Sequence, residues 1–119
     1  MNTKAIGNRG EDIATNYLLR HGYKILERQY RTKRGEIDII GKKDDTVVFF
    51  EVKSRRSLKY GAPALAVDYR KQKKIVNSAV VYLEFNGGMN QQCRFDVIEV
   101  YFLPDGSNKV IQYENAFEA

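Results

Sequence analysis

The stretch from Gly35 to Lys53, GEIDIIGKKDDTVVFFEVK, limits what this chain can fold into more than any other. Two apolar runs, IDII and VVFFEV, flank a polar middle, GKKDDT. β-Branched and aromatic residues in the runs, with Gly and Asp between them, predict a β-hairpin. Val47, Val48, Phe49 and Phe50 are apolar in succession, as in a strand covered on both faces. Each run also carries acid where a plain core strand would not. Asp38 stands between Ile37 and Ile39. Glu51 and Lys53 flank Val52 and share a face by the two-residue period. A carboxylate at the end of a buried run is costly unless it is paired or bound to a cation.

Twelve residues separate Asp38 from Glu51, so neighbouring strands would let Asp38, Glu51 and Lys53 converge. Two carboxylates and a lysine around one point suit a divalent metal working on a phosphate ester. Mg²⁺ takes oxygen ligands, commonly one or two carboxylates completed by water and phosphate. Metal there would polarise the phosphate and activate a water, and Lys53 would offset developing charge. Val52 anchors the strand, and its carbonyl is a candidate third kind of ligand. The competing reading is a surface hairpin with a Glu–Lys pair, worth about 1 kcal/mol or less.

The charge distribution adds to this. The chain has 119 residues and a net charge of +5 from 20 basic and 15 acidic side chains. Arg28, Arg31, Lys33 and Arg34 form one basic cluster. Lys53, Arg55, Arg56 and Lys59 form a second, and Arg70, Lys71, Lys73 and Lys74 a third. These hold 12 of the 20 basic residues, and all lie within or beside the hairpin. One such cluster is as well read as a solvated face; three around a carboxylate pair point to nucleic acid.

Before the hairpin, Arg9 to His21 has apolar residues at helical spacing, with Gly22 as its cap. Glu11 falls on or beside the buried stripe, where dipole compensation near a helix start is the plainer role. Tyr23 to Arg31 reads as a strand, and Arg31 to Arg34 as a basic turn. Residues 54–64 form a polar loop broken by Gly61 and Pro63. Tyr69 to Phe85 is a second helix with Gln72, Ile75, Val76, Ala79, Val80 and Leu83 inward, ended by Asn86-Gly87-Gly88. Arg94 to Phe102 is a strand, and a weaker one runs from about Lys109 to Tyr113. The order α-β-β-β-α-β-β predicts a mixed sheet of about five strands with helices packed on it, in one domain over residues 1–119. Cys93, the single cysteine, excludes an internal disulfide and a Cys-type zinc site. His21 at a helix end is read as a dipole contact. No signal peptide or membrane-length apolar run is visible, which points to the cytoplasm.

GEIDII followed by FFEVKSRRSLKYGAPALAVDYRKQKK resembles the bacterial YraN-type family. The likeness extends to GNRGEDIATNYLLRHGYKILERQYR and RFDVIEV, covering roughly Gly7 to Val100. That family is in turn similar to archaeal Holliday junction resolvases and the wider PD-(D/E)XK nucleases. The resemblance implies a restriction-endonuclease-like α/β core and Mg²⁺-dependent phosphodiester hydrolysis. It places Asp38, Glu51 and Lys53 on the motif and Glu11 on the helical acid of many such nucleases. Ile37 stands where the motif's proline would be. Gln72 lies where some relatives keep a polar residue, as possible support, but Val76 breaks the Gln-x-x-x-Tyr form of another branch. Glu36 shares the face of Asp38 and is a candidate accessory ligand, with the acidic half of a turn ion pair as the preferred reading.

The expectation is therefore a metal-dependent, structure-selective DNA endonuclease. Glu11, Asp38, Glu51 and Val52 would hold Mg²⁺, with Mn²⁺ as substitute, and Lys53 would be the catalytic lysine. Arg31, Lys33, Arg34, Arg55, Arg56, Arg70, Lys71, Lys73 and Lys74 would hold branched or single-stranded DNA. A homodimer is expected if the junction likeness extends to substrate. The rival class is a nucleic-acid-binding module that keeps the fold and does not cut. No protein partner is readable.

Overall fold

The computed structural model describes residues 3–56 and 67–119. Seven elements follow in order: α1 (Thr3–Arg20), β1 (Lys24–Thr32), β2 (Gly35–Lys43), β3 (Thr46–Arg55), α2 (Tyr69–Phe85), β4 (Gln92–Phe102) and β5 (Asn108–Phe117). The strands form one sheet in sequence order, so the Gly35–Lys53 hairpin supplies its middle. β1, β2 and β3 are antiparallel, β3 and β4 are parallel, and β4 and β5 are antiparallel. A parallel pair needs a long crossover, and α2 lies within it. This is the mixed α/β architecture and element order expected from the sequence. The loop expected at 54–64, with Gly61, Pro63 and basic Lys59, lies mostly outside the described residues.

The helices take opposite faces. Ala14 and Leu18 of α1 pack with Ile39, Val48, Phe50, Ile98 and Val100. Ile75, Ala79, Tyr82 and Leu83 of α2 pack with Ile37, Ile40, Val47, Phe49, Phe95 and Val97. VVFF is thus apolar throughout because its side chains alternate between two cores. Each such side chain contributes about 2 kcal/mol by leaving water.

Several boundaries differ from expectation. α1 begins at Thr3, not Arg9, so residues 3–8 are helical as well and Glu11 sits mid-helix. Dipole compensation near a helix start therefore no longer accounts for it. Gly41 is not in the hairpin turn but inside β2, opposite Val48. A Cβ there would come within 3.2 Å of the Phe50 ring and 3.3 Å of the Lys24 carbonyl. The turn itself is Asp44-Asp45, both left-handed with φ of 50° and 65°. A two-residue turn of that hand matches strand twist, and Asp tolerates it. On α2 the buried stripe is Ile75, Ser78, Ala79, Tyr82 and Leu83, with Val76 and Val80 half-buried on its flank. Tyr82 fits because its ring meets Tyr30 and Phe49 edge-on. β5 runs on to Phe117, four residues beyond the expected end.

Candidate metal site between β2 and β3

The site arises where the central hairpin comes apart. The β2–β3 pairing runs from Lys43–Thr46 to Ile39–Phe50. Ile39 faces the α1 core while Ile37, two residues away, faces the α2 core. A regular strand would keep both on one face, so β2 turns at Asp38. The Asp38 side chain then takes over a main-chain role. Its Oδ2 accepts the Val52 amide at 2.8 Å. A residue's N–H and C=O point to the same neighbouring strand, so the Val52 carbonyl faces this gap as well.

Glu51 emerges beside it, on the side of α2. Its Oε1 pairs with the Lys71 ammonium at 3.5 Å. Its Oε2 is buried without a hydrogen-bond partner. Burial, then the charge of Glu51, pushes the Asp38 carboxyl from 3.8 up to about 8. Burial also raises Glu51, with Lys71 and then Lys53 pulling back. A protonated Asp38 lies where it can donate to Glu51. One proton between two acids is what such a pair adopts when no cation is present.

Glu11 faces the same region from α1. It is buried, and its charge adds to the rise at Asp38. Its carboxylate is held by Arg28 at 3.1 Å, with the Gln29 amide 3.5 Å away. Among the described residues, no three or more acidic, His or Cys side chains are gathered for a metal. The carboxylates of Asp38 and Glu51 come together; Glu11 is drawn aside by Arg28. The partnerless Glu51 Oε2 is an oxygen that a cation would complete. The donor set therefore fits a hard divalent ion. Glu11, Asp38 and Val52 also line an open cleft of about 430 Å³ with Lys4, Asn8 and Arg31.

The basic residues divide. Lys33 and Arg34 form the exposed β1–β2 turn, held by Thr32 Oγ1 accepting from Arg34 N and Gly35 N. Gly35 lies against Lys74 of α2, where an added Cβ would be 3.0 Å from the Lys74 Cβ. Two clusters that are distant in sequence thus adjoin. Arg70, Lys73 and Lys74 are exposed on the first turns of α2. Arg31 pairs with Glu36 at 3.3 Å, the turn ion pair expected from sequence. Arg55 is drawn to Glu99 at 3.2 Å, and Arg56 is exposed at the end of β3. Gln72 donates to the Val67 carbonyl at 2.8 Å, a structural bond at the helix start. His21 bonds the Tyr17 carbonyl and stacks on its ring.

Two features lie beyond what the sequence pattern shows. Lys71, expected among the DNA-binding lysines, reaches Glu51. Glu99, not singled out at all, is fully buried opposite Lys53 in the β3–β4 register. Its Oε2 takes Arg55 and the Tyr101 hydroxyl, while Oε1 has no partner. The available signal was an acid inside RFDVIEV, a run otherwise too apolar to face water.

A mixed sheet covered on both faces, with an undersupplied acid pair where two strands part, defines an α/β protein with an acid-centred site. The family described as "Uncharacterised protein family UPF0102" matches residues 10–100, and the chain belongs to it. The likeness carried by the GEID and EVK-x-R blocks is borne out. A UPF0102 protein of Clostridioides difficile (strain 630) is 50% identical over 117 residues, covering 98% of this chain and 100% of its own. One from Caldanaerobacter subterraneus subsp. tengcongensis is 46% identical over 119 residues, covering 98% of each. Among solved structures, a repair endonuclease from Pyrococcus abyssi aligns with a TM-score of 0.44 and 20% identity, over 89% of this chain and 41% of that one. SfsA of Pyrococcus furiosus in complex with Ca²⁺ aligns with a TM-score of 0.43 and 16% identity, over 99% of this chain and 66% of that one. No helix among the described residues is long and apolar enough to cross a membrane.

Proposed function

We propose that this protein is a metal-dependent, structure-selective DNA endonuclease, resembling junction resolvases. The observation that carries the reading is the Asp38–Glu51 pair, with Glu51 Oε2 buried and partnerless at the parting of β2 and β3. Asp38, Glu51 and the Val52 carbonyl would hold Mg²⁺ or Mn²⁺, and Glu11 would join on leaving Arg28. The metal would supply a Lewis acid on the scissile phosphate and a water made acidic enough to attack.

The chain's own residues do the rest. Asp38 would bind the cation as the carboxylate, and its bond to Val52 N fixes its angle. Lys53 has no ion pair within 4 Å among the described residues. Its ammonium is therefore available to orient the water or to offset charge on the phosphate. Lys33, Arg34, Arg70, Lys73 and Lys74 hold the backbone on either side, which favours shape over sequence. A homodimer would place two such sites on a symmetric junction.

The test is incubation with labelled branched, flap and single-stranded DNA in Mg²⁺ or Mn²⁺. Cleavage is expected with metal and lost both in EDTA and in Asp38→Asn. Binding without cleavage on every substrate, at any divalent metal, would instead assign the fold to a non-cutting nucleic-acid module.

A further inference from the structure

Glu51 is only 11% exposed, yet a lysine on another element reaches it. Lys71 belongs to α2, and its ammonium stands 3.5 Å from Glu51 Oε1. Its backbone is fixed, because Asp68 caps the helix and accepts the Lys71 amide at 2.8 Å. Its side chain is 48% exposed, so the ammonium can swing out without moving α2. The other lysine, Lys53, sits on the same strand as Glu51. Arg70, Lys73 and Lys74 flank Lys71 on the exposed start of the helix.

A buried carboxylate needs positive charge beside it. In the metal-free protein Lys71 supplies that charge at Oε1 and leaves Oε2 bare. A divalent ion at Oε2 supplies it instead, and its repulsion of the ammonium weakens the ion pair. We propose that Lys71 is the site's built-in stand-in for the metal: it holds Glu51 until a divalent ion arrives, then is displaced towards a DNA phosphate beside the site. This rests on the proposed metal site and adds a positioning residue to it. It differs from the expectation that Lys71 is one more backbone-binding lysine, because its freedom to bind DNA depends on metal.

The experiment needs neither DNA nor cleavage. Mn²⁺ binding to the full chain is measured by calorimetry for wild type, Lys71→Gln and Lys73→Gln. In parallel, amine acetylation is followed by peptide mass spectrometry in EDTA and in saturating Mn²⁺. Loss of the competing ammonium should tighten Mn²⁺ binding in Lys71→Gln by about five- to tenfold, the range of a modest coupling between sites. Lys73→Gln should bind as wild type. Acetylation of Lys71 should be slow in EDTA and several-fold faster with Mn²⁺, while Lys73 and Lys74 keep their rates. Equal labelling of Lys71 with and without bound Mn²⁺ overturns the displacement and leaves the metal site standing. Equal Mn²⁺ affinity of wild type and Lys71→Gln does the same. Failure of both proteins to bind Mn²⁺ overturns the site reading and this inference together.

Discussion

Two aspartates in this sheet look alike in sequence and differ in supply. Asp38 lies in Ile-Asp-Ile and Asp96 in Phe-Asp-Val, each on a strand with apolar neighbours. Asp96 is fully buried and fully served. Arg94 reaches both its oxygens, Gln112 donates to Oδ2 at 3.0 Å, and the Asn115 amide donates to Oδ1 at 2.9 Å. Asp38 has the Val52 amide and a second acid. A carboxylate whose donors match its lone pairs is structure. A carboxyl held near another acid, beside a buried oxygen that has no hydrogen-bond partner, is the arrangement a proposed cation would complete.

The same isosteric change at both positions sharpens that contrast most. Asp38→Asn is expected to lower single-turnover cleavage in saturating Mg²⁺ by roughly 10²–10³-fold, the scale of losing one group that stabilises transition-state charge. DNA affinity should stay close to wild type. An Asp38→Asn protein that cuts at the wild-type rate would reduce the pair to a structural curiosity.

Stability should separate the two aspartates next. Asp96→Asn leaves Arg94 facing a neutral amide and should cost about 3 kcal/mol by urea unfolding. Asp38→Asn should be neutral or stabilising without metal. Equal losses at the two sites would erase the distinction.

The pH dependence of unfolding in EDTA gives a smaller but direct reading. Folding raises Asp38 from 3.8 to about 8. Its contribution is fully present below its unfolded value and is lost as pH climbs through the folded one, since the folded state must then accept a charge it disfavours. Glu51 acts in the same direction. Stability should therefore fall between about pH 4 and pH 8 in this part of the profile. Asp38→Asn should flatten that fall, and millimolar Mn²⁺ should offset it by binding the ionised pair. A melting temperature indifferent to Mn²⁺ at pH 8 would count against the site.

The smallest effect concerns the flanking charge. Lys73→Ala/Lys74→Ala should weaken binding to every DNA, with the salt slope falling by about 0.7–0.9 per lost phosphate contact. Cleavage at saturating DNA should barely change. Unchanged affinity and slope would make this part of α2 a solvated face.

Much of this was legible in the sequence, for physical reasons. The hairpin and its acids stood out because apolar runs buried on both faces tolerate no idle charge. The bounds of α2 were legible because a helical stripe runs through it and Asn86-Gly87-Gly88 closes it; its Asp68 cap was not read from the sequence. The start of α1 was hidden because Gly7 and Gly10 weaken helix propensity and the first turns bury little. Gly41 mimicked a turn residue while serving close packing under Phe50. β5 was underestimated because much of it is exposed and Asn115 takes a left-handed φ of 53° within it. The ties of Lys71 to Glu51 and of Arg55 to Glu99 were hidden because they join elements whose approach no local pattern encodes.

The bond from Asp38 to the Val52 amide has a consequence for inheritance. It gives one side chain two employers, the sheet and the proposed chemistry. If the chain cuts DNA as proposed, then in a lineage that no longer needs cutting, selection at position 38 would relax only halfway, since the amide still requires an acceptor. Drift there should stop at Asn, which keeps an oxygen. Glu51 has no such second duty, and drift there should run to uncharged or apolar residues. A relative with Asn at this position and an apolar residue at the other would therefore be read as a descendant that kept the architecture and gave up the reaction.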